Sequence, residues 1–262
     1  MDVQHFREGL LRYFDDFRRS LATDAGDWVV KGFIDVYRNV YTVSVDTKVI
    51  SKIIELILFP VISRFATQHE YGMVLSEHQN HYPDISFVAA DGTKIALDIK
   101  SSYRTGEKTV NGFTLGAFTG YFRQRRSAKN ITFPYAEYAA HLVLGIIYSR
   151  REQVLEQRRV YNLNELQDIV SVVKDFGFLL HEKWRIAGEH PGSGNTKNIG
   201  SITSVGALVN GAGPFATHGA AVFDDYWMNY LTADMARAID SKVPYRNLAE
   251  YWRWRDRARR KK

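Results

Sequence analysis

The segment from residue 81 to residue 100, HYPDISFVAADGTKIALDIK, constrains the fold of this chain more than any other part of its sequence. Two short runs of alternating side chains flank an Asp-Gly pair, which is a strong local signal for a β-hairpin. Successive side chains of a strand point to opposite faces, so Asp98 and Lys100 share one face of the second strand. Asp84 and Ser86 belong to the polar face of the first strand, and we expect the apolar face to pack inward.

The turn of this hairpin decides whether its polar residues meet. A strict two-residue turn at Asp91-Gly92 would pair Asp84 with Ile99, and Asp98 would then lie on the wrong face. We therefore predict a three-residue loop or a bulge, which brings Asp84, Asp98 and Lys100 together at one end of the two strands.

Two converging carboxylates and an ammonium suggest a particular chemistry. Carboxylates at one sheet end repel each other unless a cation lies between them, and hard oxygen ligands favour Mg²⁺. A metal ion held by Asp84 and Asp98 can bind a phosphoryl oxygen and a water, while Lys100 offsets the charge that develops on phosphorus. The pattern indicates phosphodiester hydrolysis. So short a pattern is also typical of a surface hairpin with a salt bridge, and by itself it favours that interpretation.

Composition is that of an ordinary globular protein. The 262 residues are 45% hydrophobic and 13% aromatic, which fills the core of one large domain or two modest ones. We find no repeat, linker or clean boundary, and expect one α/β (α+β) domain over residues 1–262 with a mixed β-sheet flanked by helices. The absence of cysteine excludes disulfide bonds and thiolate metal sites, and it suits a reducing, bacterial cytoplasm.

Two other classes of protein are not expected. The longest apolar run, around residues 141–148, is far shorter than the roughly 20 residues of a membrane-spanning helix, and the N-terminus lacks a signal-like pattern. The segment GAGPFA at residues 211–216 follows no predicted strand and opens no predicted helix, so it is not a nucleotide-binding fingerprint. We therefore predict no membrane partner and no nucleotide cofactor.

Hydrophobic periodicity predicts an alternation of helices and strands. Helices are expected over residues 4–21, from an N-cap at Asp46 onward with a kink at Pro60, over 119–126, 134–140 and 224–238, and from Tyr245 towards the C-terminus. Strands are expected over residues 73–77, 84–88, 94–100 and 142–148. The Gly-, Ser- and Asn-rich region of residues 188–219 is expected to form long loops.

The positive charge is concentrated at the C-terminus. Residues 253–262, RWRDRARRKK, hold seven basic side chains and one acid, so this segment accounts for the whole net charge of +6. A basic segment that includes tryptophan suits a phosphate backbone. A solvated helix end is an equally good interpretation, so the tail by itself identifies no partner.

Several separate segments, from about Val43 to the basic tail, resemble one known family in order and spacing. They are SVDTKVISKIIELILFP, HQNHYPD, IALDIKSSY, FTLGAFTGYFR, AKNITFPYAEYAAHLVLGIIYSR, YNLNEL and KWRIAGEHPGSGNTKNIGSI. By these blocks the chain resembles type II restriction endonucleases of the PD-D/E-x-K nuclease superfamily. The resemblance implies the restriction-endonuclease-like core of that superfamily.

The resemblance also implies roles for the hairpin residues. Asp84, Asp98 and Lys100 match the catalytic triplet of the superfamily. Glu55 matches an additional acid, carried on a helix, that can serve a further metal ion, although from the residues alone it is a solvated salt-bridge partner of neighbouring lysines. The implied cofactor is Mg²⁺, with metal ligands at Asp84, Asp98, Glu55 and Ile99.

The segment GSGNTKN resembles the loop with which this family reads bases in the major groove. Glycines let the backbone approach base edges, Asn195 can pair with adenine, and Thr196 can contact a thymine methyl group. Without the resemblance, a plain surface loop is the simpler interpretation. The residues assigned to this loop are Gly192, Ser193, Gly194, Asn195, Thr196 and Asn198.

Further contacts to DNA are implied by the same resemblance. Gln79 and Asn80 match a minor-groove loop, so DNA-reading loops are expected near residues 78–82 and 190–200. Positions that hold phosphates or face the minor groove are matched by Thr47, Lys48, Ser101, Ser102, Thr119 and Lys129. The chain departs from the family at Gly120, where a hydroxyl is expected, and it matches poorly in the first forty residues and at residues 204–219, to which we assign no role.

The resemblance implies a homodimer that cleaves double-stranded DNA at a short palindrome similar to GATATC. It implies a blunt cut that leaves a 5′-phosphate and a 3′-hydroxyl. Two alternatives stay open: a repair or nicking endonuclease of the same superfamily, and a DNA-binding dimer that has lost catalysis. The GSGNT loop argues against the first alternative, and the intact acids and lysine argue against the second.

Overall fold

The computed structural model describes residues 2–76, 78, 81–151, 159–192 and 197–259. The largest sheet consists of β3 (Gly72–Leu75), β4 (Ile85–Val88), β5 (Lys94–Gly106), β6 (Thr109–Val110), β8 (Tyr138–Arg150) and β10 (Val173–Glu182). Its spatial order is β10, β8, β5, β4 and β3, with β6 paired to β5. The central pair, β5 and β8, is parallel and the other pairs are antiparallel, so the predicted mixed sheet is confirmed.

The hairpin between β4 and β5 has the predicted three-residue loop. The Ala89 N–H donates to the Thr93 carbonyl at 3.0 Å, which leaves residues 90–92 as the loop. Its last residue is a glycine with a φ of 81°, a conformation that glycine adopts without strain. Continued by one residue beyond β4, the register of the hairpin places Asp84 opposite Asp98.

Both faces of this sheet are covered by other parts of the chain. One face packs against three helices, α1 (Val3–Leu11), α2 (Phe14–Leu21) and α3 (Thr47–Gln68). On the other face Ser86 and Ala96 are completely buried. This face carries an aromatic layer, which consists of Tyr82, Tyr121, Phe122, Tyr135 and Tyr138. The hairpin therefore has no open polar face, because side chains from distant loops cover the face opposite the helices.

Two smaller sheets extend from this core. One contains β1 (Gly32–Ile34), β2 (Asn39–Thr42) and β9 (Val160–Asn162) in the order β1, β2, β9. The other contains β7 (Thr114–Ala117), β11 (Ala187–Pro191) and β12 (Asn198–Ser201) in the order β11, β12, β7. The long loops predicted for residues 188–219 are therefore wrong in part, since this region holds β12, most of β11 and α5 (Val205–Asn210).

The helices differ from the sequence prediction in length rather than in position at both ends of the chain. The first predicted helix is broken at Arg12 and Tyr13, whose N–H groups bond to carbonyls three residues back. Near the C-terminus, the predicted helix of residues 224–238 is two helices, because Thr232 caps a new start. The C-terminal helices are α6 (Ala220–Asn229), α7 (Ala233–Ala238) and α8 (Leu248–Arg259).

The third helix begins where the sequence predicts. The Asp46 carboxylate accepts hydrogen bonds from the N–H groups of Lys48 and Val49, which are otherwise unpaired at a helix start. The helix then runs through Pro60 to Gln68 without ending. None of the described helices is both long enough and apolar enough to cross a membrane.

Two short predicted helices are wrong. Residues 119–126 form only a 3₁₀ turn at Gly120–Phe122, where Gly120 has a φ of 54°. Residues 134–140 form a 3₁₀ turn at Tyr135–Glu137, and the chain then enters β8 at Tyr138. Parallel pairing with β5 draws residues from Tyr138 onward into the sheet, and this tertiary pairing overrides local helix propensity.

Candidate active site

The predicted catalytic residues meet where β4 begins beside β5. The Lys100 Nζ lies 2.9 Å from Asp98 Oδ2 and 3.4 Å from Asp84 Oδ2. The Ile99 N–H donates to Asp84 Oδ2 at 2.7 Å, which fixes this carboxylate against the neighbouring strand. The two acids, opposite each other in the hairpin, thus share one ammonium.

The electrostatics of this cluster are dominated by negative charge around Asp84. Burial and the neighbouring Asp98 raise the pKa of Asp84 to about 6, although Lys100 and the Ile99 N–H act in the opposite direction. Burial disfavours the charge on Lys100, but Asp98 and Asp84 outweigh this effect and raise its pKa. One ammonium therefore stays protonated between two acids whose charges it does not fully balance.

This donor set fits a hard divalent cation. Asp84 and Asp98 offer carboxylate oxygens, and the Ile99 carbonyl lies 3.3 Å from the Lys100 Nζ, on the same side of the strand. The raised pKa of Asp84 reflects its burial first and the charge of Asp98 second, and a bound cation would favour the ionised carboxylate against both effects. Within the described ranges, no three His, Cys, Asp or Glu side chains form a cluster able to hold an ion alone. Backbone, water or substrate oxygens would complete the coordination.

Glu55 lies across an open groove from the hairpin. This groove has a volume of about 840 Å³, and its lining includes Glu55 and Lys48 from α3 as well as Asp84 and Ile99. The Glu55 carboxylate pairs with Lys52 at 2.6 Å, and its negative charge contributes to the raised pKa of Asp84. Glu55 thus faces the same groove as Asp84 but has a partner of its own.

The predicted phosphate contacts differ in exposure. Lys48 lines the groove and Thr47 starts α3 beside it. The Ser101 hydroxyl is 2.7 Å from that of Ser51, another groove residue, whereas Ser102 is only 4% exposed. A phosphate contact by Ser101 is therefore compatible with its position at the groove, and the burial of Ser102 argues against a direct contact there.

The other predicted DNA contacts lie on loops around the sheets. Thr119 is half-buried before a 3₁₀ turn, and Lys129 is exposed. Gly192 and Asn198 stand at the two ends of the recognition loop, where the Gly192 N–H donates to the Asn198 carbonyl at 2.9 Å. The remaining predicted residues, Gln79, Asn80, Ser193, Gly194, Asn195 and Thr196, lie outside the described residues.

A buried lysine close to the active site was not predicted as a functional residue. Lys183 is 1% exposed, and its Nζ lies 4.1 Å from the centre of the Tyr82 ring. Burial lowers the pKa of Lys183 to about 8, Asp98 acts to raise it, and Lys100 acts to lower it. No sequence pattern indicates burial here, because the lysine in HEKWR does not differ from an exposed lysine.

Known restriction endonucleases resemble this chain over most of its length. The family model described as "Restriction endonuclease EcoRV" matches residues 24–256. The chain is 36% identical to the "Type II restriction enzyme EcoRV" of Escherichia coli over 248 residues, which cover 94% of this chain and 98% of that enzyme. The chain belongs to the EcoRV family of restriction endonucleases. It is accordingly a site-specific deoxyribonuclease, and the expected family and fold are confirmed.

The match to the EcoRV family begins earlier than the sequence blocks indicated. It starts at residue 24 rather than near Val43, so α1 and α2 precede it, and it ends at residue 256 within α8. A solved structure, the NlaIV restriction endonuclease, is also similar over 94% of this chain and 92% of its own. Its identity of 12% and TM-score of 0.39 are too low to support any argument about this protein.

Replacing Asp84 with Asn tests the electrostatics of the site in protein free of divalent ions. Because the folded protein holds the Asp84 proton up to about pH 6, whereas an unfolded aspartate loses it near pH 4, the carboxylate lowers stability as the pH rises between these values. We expect Asp84→Asn to melt at a higher temperature than the parent at pH 8, and the two to converge near pH 4. Thermal melts across this range measure the effect, with the exposed Asp24→Asn as the control. A difference that does not vary with pH would contradict the raised pKa.

Proposed function

We propose that this protein is a Mg²⁺-dependent type II restriction endonuclease that acts as a homodimer in the bacterial cytoplasm. The observation that carries this proposal is the convergence of Asp84, Asp98 and Lys100 at one edge of the sheet, in a member of the EcoRV family. A groove lined by α3 and the hairpin would give a DNA strand access to Asp84, which shares the Lys100 ammonium with Asp98.

In the proposed reaction, the phosphate to be cleaved lies in the groove beside the two acids. Asp84, Asp98 and the Ile99 carbonyl would hold Mg²⁺, and Glu55 would serve a further ion. A bound Mg²⁺ supplies Lewis-acid chemistry, which neutralises phosphate charge and makes water more acidic. The protonated Lys100 would orient the attacking water and offset charge on phosphorus. As the water oxygen bonds to phosphorus and releases a proton to solvent, the bond from phosphorus to the 3′ oxygen breaks and that oxygen takes a proton from solvent, which leaves a 5′-phosphate and a 3′-hydroxyl.

The base of the proposed recognition loop supports a role in base reading. An added Cβ on Gly200 would lie 3.0 Å from the Gly192 backbone N and 3.1 Å from the His190 carbonyl, so the two arms can approach this closely only with glycine. The strand β12 also pairs with β7, and the Phe118 N–H donates to the Lys197 carbonyl at 3.0 Å. The base of the loop is therefore held on two sides, as base reading in a groove requires.

The similarity to the EcoRV family extends the proposal to the DNA sequence. The GSGNT loop supports a six-base site like GATATC with a blunt cut at its central T-A step. Pyrimidine-purine steps kink easily, so bending of a cognate site would bring the phosphate to the metal site and make cleavage depend on sequence. Minor-groove contact by Gln79 and Asn80, just before Asp84, would act at the same step.

An exposed apolar surface supports the homodimer. Phe33 lies opposite Tyr41, and Tyr41 lies opposite Val160, so the three side chains form a row across the small sheet of β1, β2 and β9. They are 52%, 45% and 49% exposed, and Tyr37 in the adjacent turn is 83% exposed. Contiguous apolar exposure marks an interaction surface, and a palindrome needs two active sites related by a two-fold axis.

The active-site assignment is tested by Asp98→Ala and Lys100→Ala. Asp98→Ala should abolish cleavage while leaving DNA binding intact, because it removes a metal ligand and also a charge that repels phosphate. Lys100→Ala should be equally inactive. The assay is digestion of plasmid and genomic DNA with Mg²⁺ or with EDTA, followed by sequencing of the ends. Discrete blunt fragments from the parent identify the site, nicked circles would favour a repair nuclease, and no cleavage at all would favour a silent DNA-binding dimer.

The recognition loop is tested by Asn195→Ala. If Asn195 bonds to a base edge, its loss leaves base donors and acceptors unpaired, at a cost of about 1 to 3 kcal/mol for the cognate site alone. The ratio of cleavage rates on the cognate site and on sites that differ by one base pair should then fall roughly ten-fold or more. Lys129→Ala, at a proposed phosphate contact, is the contrast and should weaken cleavage of all sequences alike. An equal loss on both kinds of site in Asn195→Ala would remove it from base reading.

The dimer is tested by the double variant Phe33→Asp/Val160→Asp. Two carboxylates in the exposed apolar row would have to be desolvated in a dimer, so we expect a folded monomer that no longer makes double-strand breaks. Analytical ultracentrifugation measures the mass, and the plasmid assay measures the breaks. Val209→Asp makes the same kind of change at an exposed valine on α5 and should remain a dimer. A dimeric double variant would move the interface to another surface.

A further inference from the structure

The buried Lys183 presents a physical problem that the proposed reaction does not explain. Its side chain is almost completely buried, and its Nζ has no hydrogen-bond partner among the described residues. Removing an ammonium from water without such a partner is costly, and lysines are rarely buried in this way for stability alone. The groups that stabilise the charge of Lys183 therefore indicate its role.

The compensating groups belong to the active site. The Lys183 Nζ lies over the Tyr82 ring at 4.1 Å and 5.7 Å from the Tyr135 ring, so the faces of two aromatic rings receive the cation. The negative charge that stabilises it most is that of Asp98, one of the two proposed metal-binding acids. Lys183 is thus a second buried cation, besides Lys100, whose charge Asp98 favours.

Tyr82 connects this cation to the other acid along the chain. It precedes Asp84 by two residues, and both of its backbone polar groups are bonded, its N–H to the Asn130 carbonyl and its carbonyl to the Thr132 N–H. Its ring is stacked on Tyr121 with centres 5.2 Å apart, and its hydroxyl lies 3.0 Å from His141 Nδ1. Because these contacts fix the Tyr82 ring and backbone, we expect a displacement of its neighbours to displace the segment that carries Asp84 as well.

Lys183 is also connected to the hairpin of β11 and β12 that carries the proposed recognition loop, which we term the recognition hairpin. It is the first residue of α4 (Lys183–Ile186), and this single turn leads directly into β11 and the recognition loop. Its Nζ also reaches β7, because an added Cβ on Gly116 would lie only 3.5 Å away. The strand β7 pairs with β12, the other arm of the hairpin. Movement of either β11 or β12 would therefore displace the surroundings of the Lys183 ammonium.

We propose that Lys183 is a positioning residue that couples the recognition hairpin to the catalytic acids, a role that rests on the proposed function. Its ammonium holds the Tyr82 ring and balances Asp98, so the placement of the hairpin on DNA is communicated to both carboxylates. Base reading and cleavage then depend on one buried contact. This role predicts effects on the rate and specificity of cleavage that differ from the effects of a residue needed only for folding.

The experiment compares Lys183→Met with the parent, using excess enzyme on a cognate duplex and on a duplex that differs by one base pair. The cognate cleavage rate should fall roughly ten-fold to a hundred-fold, the effect of misplaced reacting groups, and discrimination between the duplexes should fall with it. DNA binding without divalent ions should change little. The melting temperature should be unchanged or higher, because an apolar isostere replaces an unpaired buried charge. Lys174→Met, at a half-buried lysine of the preceding strand β10 that pairs with Asp175, is the control.

Variants of Tyr82 keep the test decisive if Lys183→Met does not fold. Tyr82→Phe keeps the ring face and should cleave like the parent, whereas Tyr82→Leu removes it and should lose rate and discrimination as Lys183→Met does. Equal rates for these two variants would overturn the proposal. So would cleavage by Lys183→Met at the parental rate, or a loss of cleavage matched by losses of melting temperature and binding. Absence of cleavage by the parent itself would reject the proposed function instead.

Discussion

The antiparallel register between β4 and β5 is the constraint on which the rest of the structure depends. The three-residue loop sets this register, and the register places Asp84 opposite Asp98. A shift by one residue would move one acid to the other face of the sheet and separate it from the Lys100 ammonium. The Ile99 N–H bond to Asp84 then fixes the carboxylate where the register has placed it. Geometry and charge at the candidate active site thus follow from one turn.

Burial on both faces of the sheet gives these charged groups their properties. Helices α1 to α3 cover one face and the aromatic layer covers the other, so Asp98 is only 3% exposed. Burial raises the pKa of Asp84, and the charge of Asp98 favours the protonated forms of both Lys100 and the buried Lys183. The protein thereby holds a concentration of negative charge that is suited to a divalent cation, at the edge where a groove admits solvent and DNA.

The two small sheets divide the remaining tasks of the proposed function. The sheet of β1, β2 and β9 lies at the surface with an apolar row, whereas the sheet of β7, β11 and β12 supports the recognition loop. The second sheet contacts the aromatic layer beside the candidate catalytic acids at Gly116, and Lys183, in the turn that precedes β11, lies against the same layer. This arrangement lets dimerisation and base reading occur on separate surfaces while cleavage stays coupled to base reading.

The sequence by itself determined the hairpin, the start of α3 at Asp46 and the meeting of Asp84, Asp98 and Lys100, because these depend on alternation, capping and turn chemistry over short distances. For the turn it left a three-residue loop and a bulge open, and the structure has the loop. It also determined the family, through blocks of similar residues. Tertiary structure alone decided that residues 138–141 join a strand, since the parallel partner β5 lies far away in sequence. It alone decided that Lys183 is buried, because burial depends on Tyr82 and Tyr135, which distant segments bring to the same place.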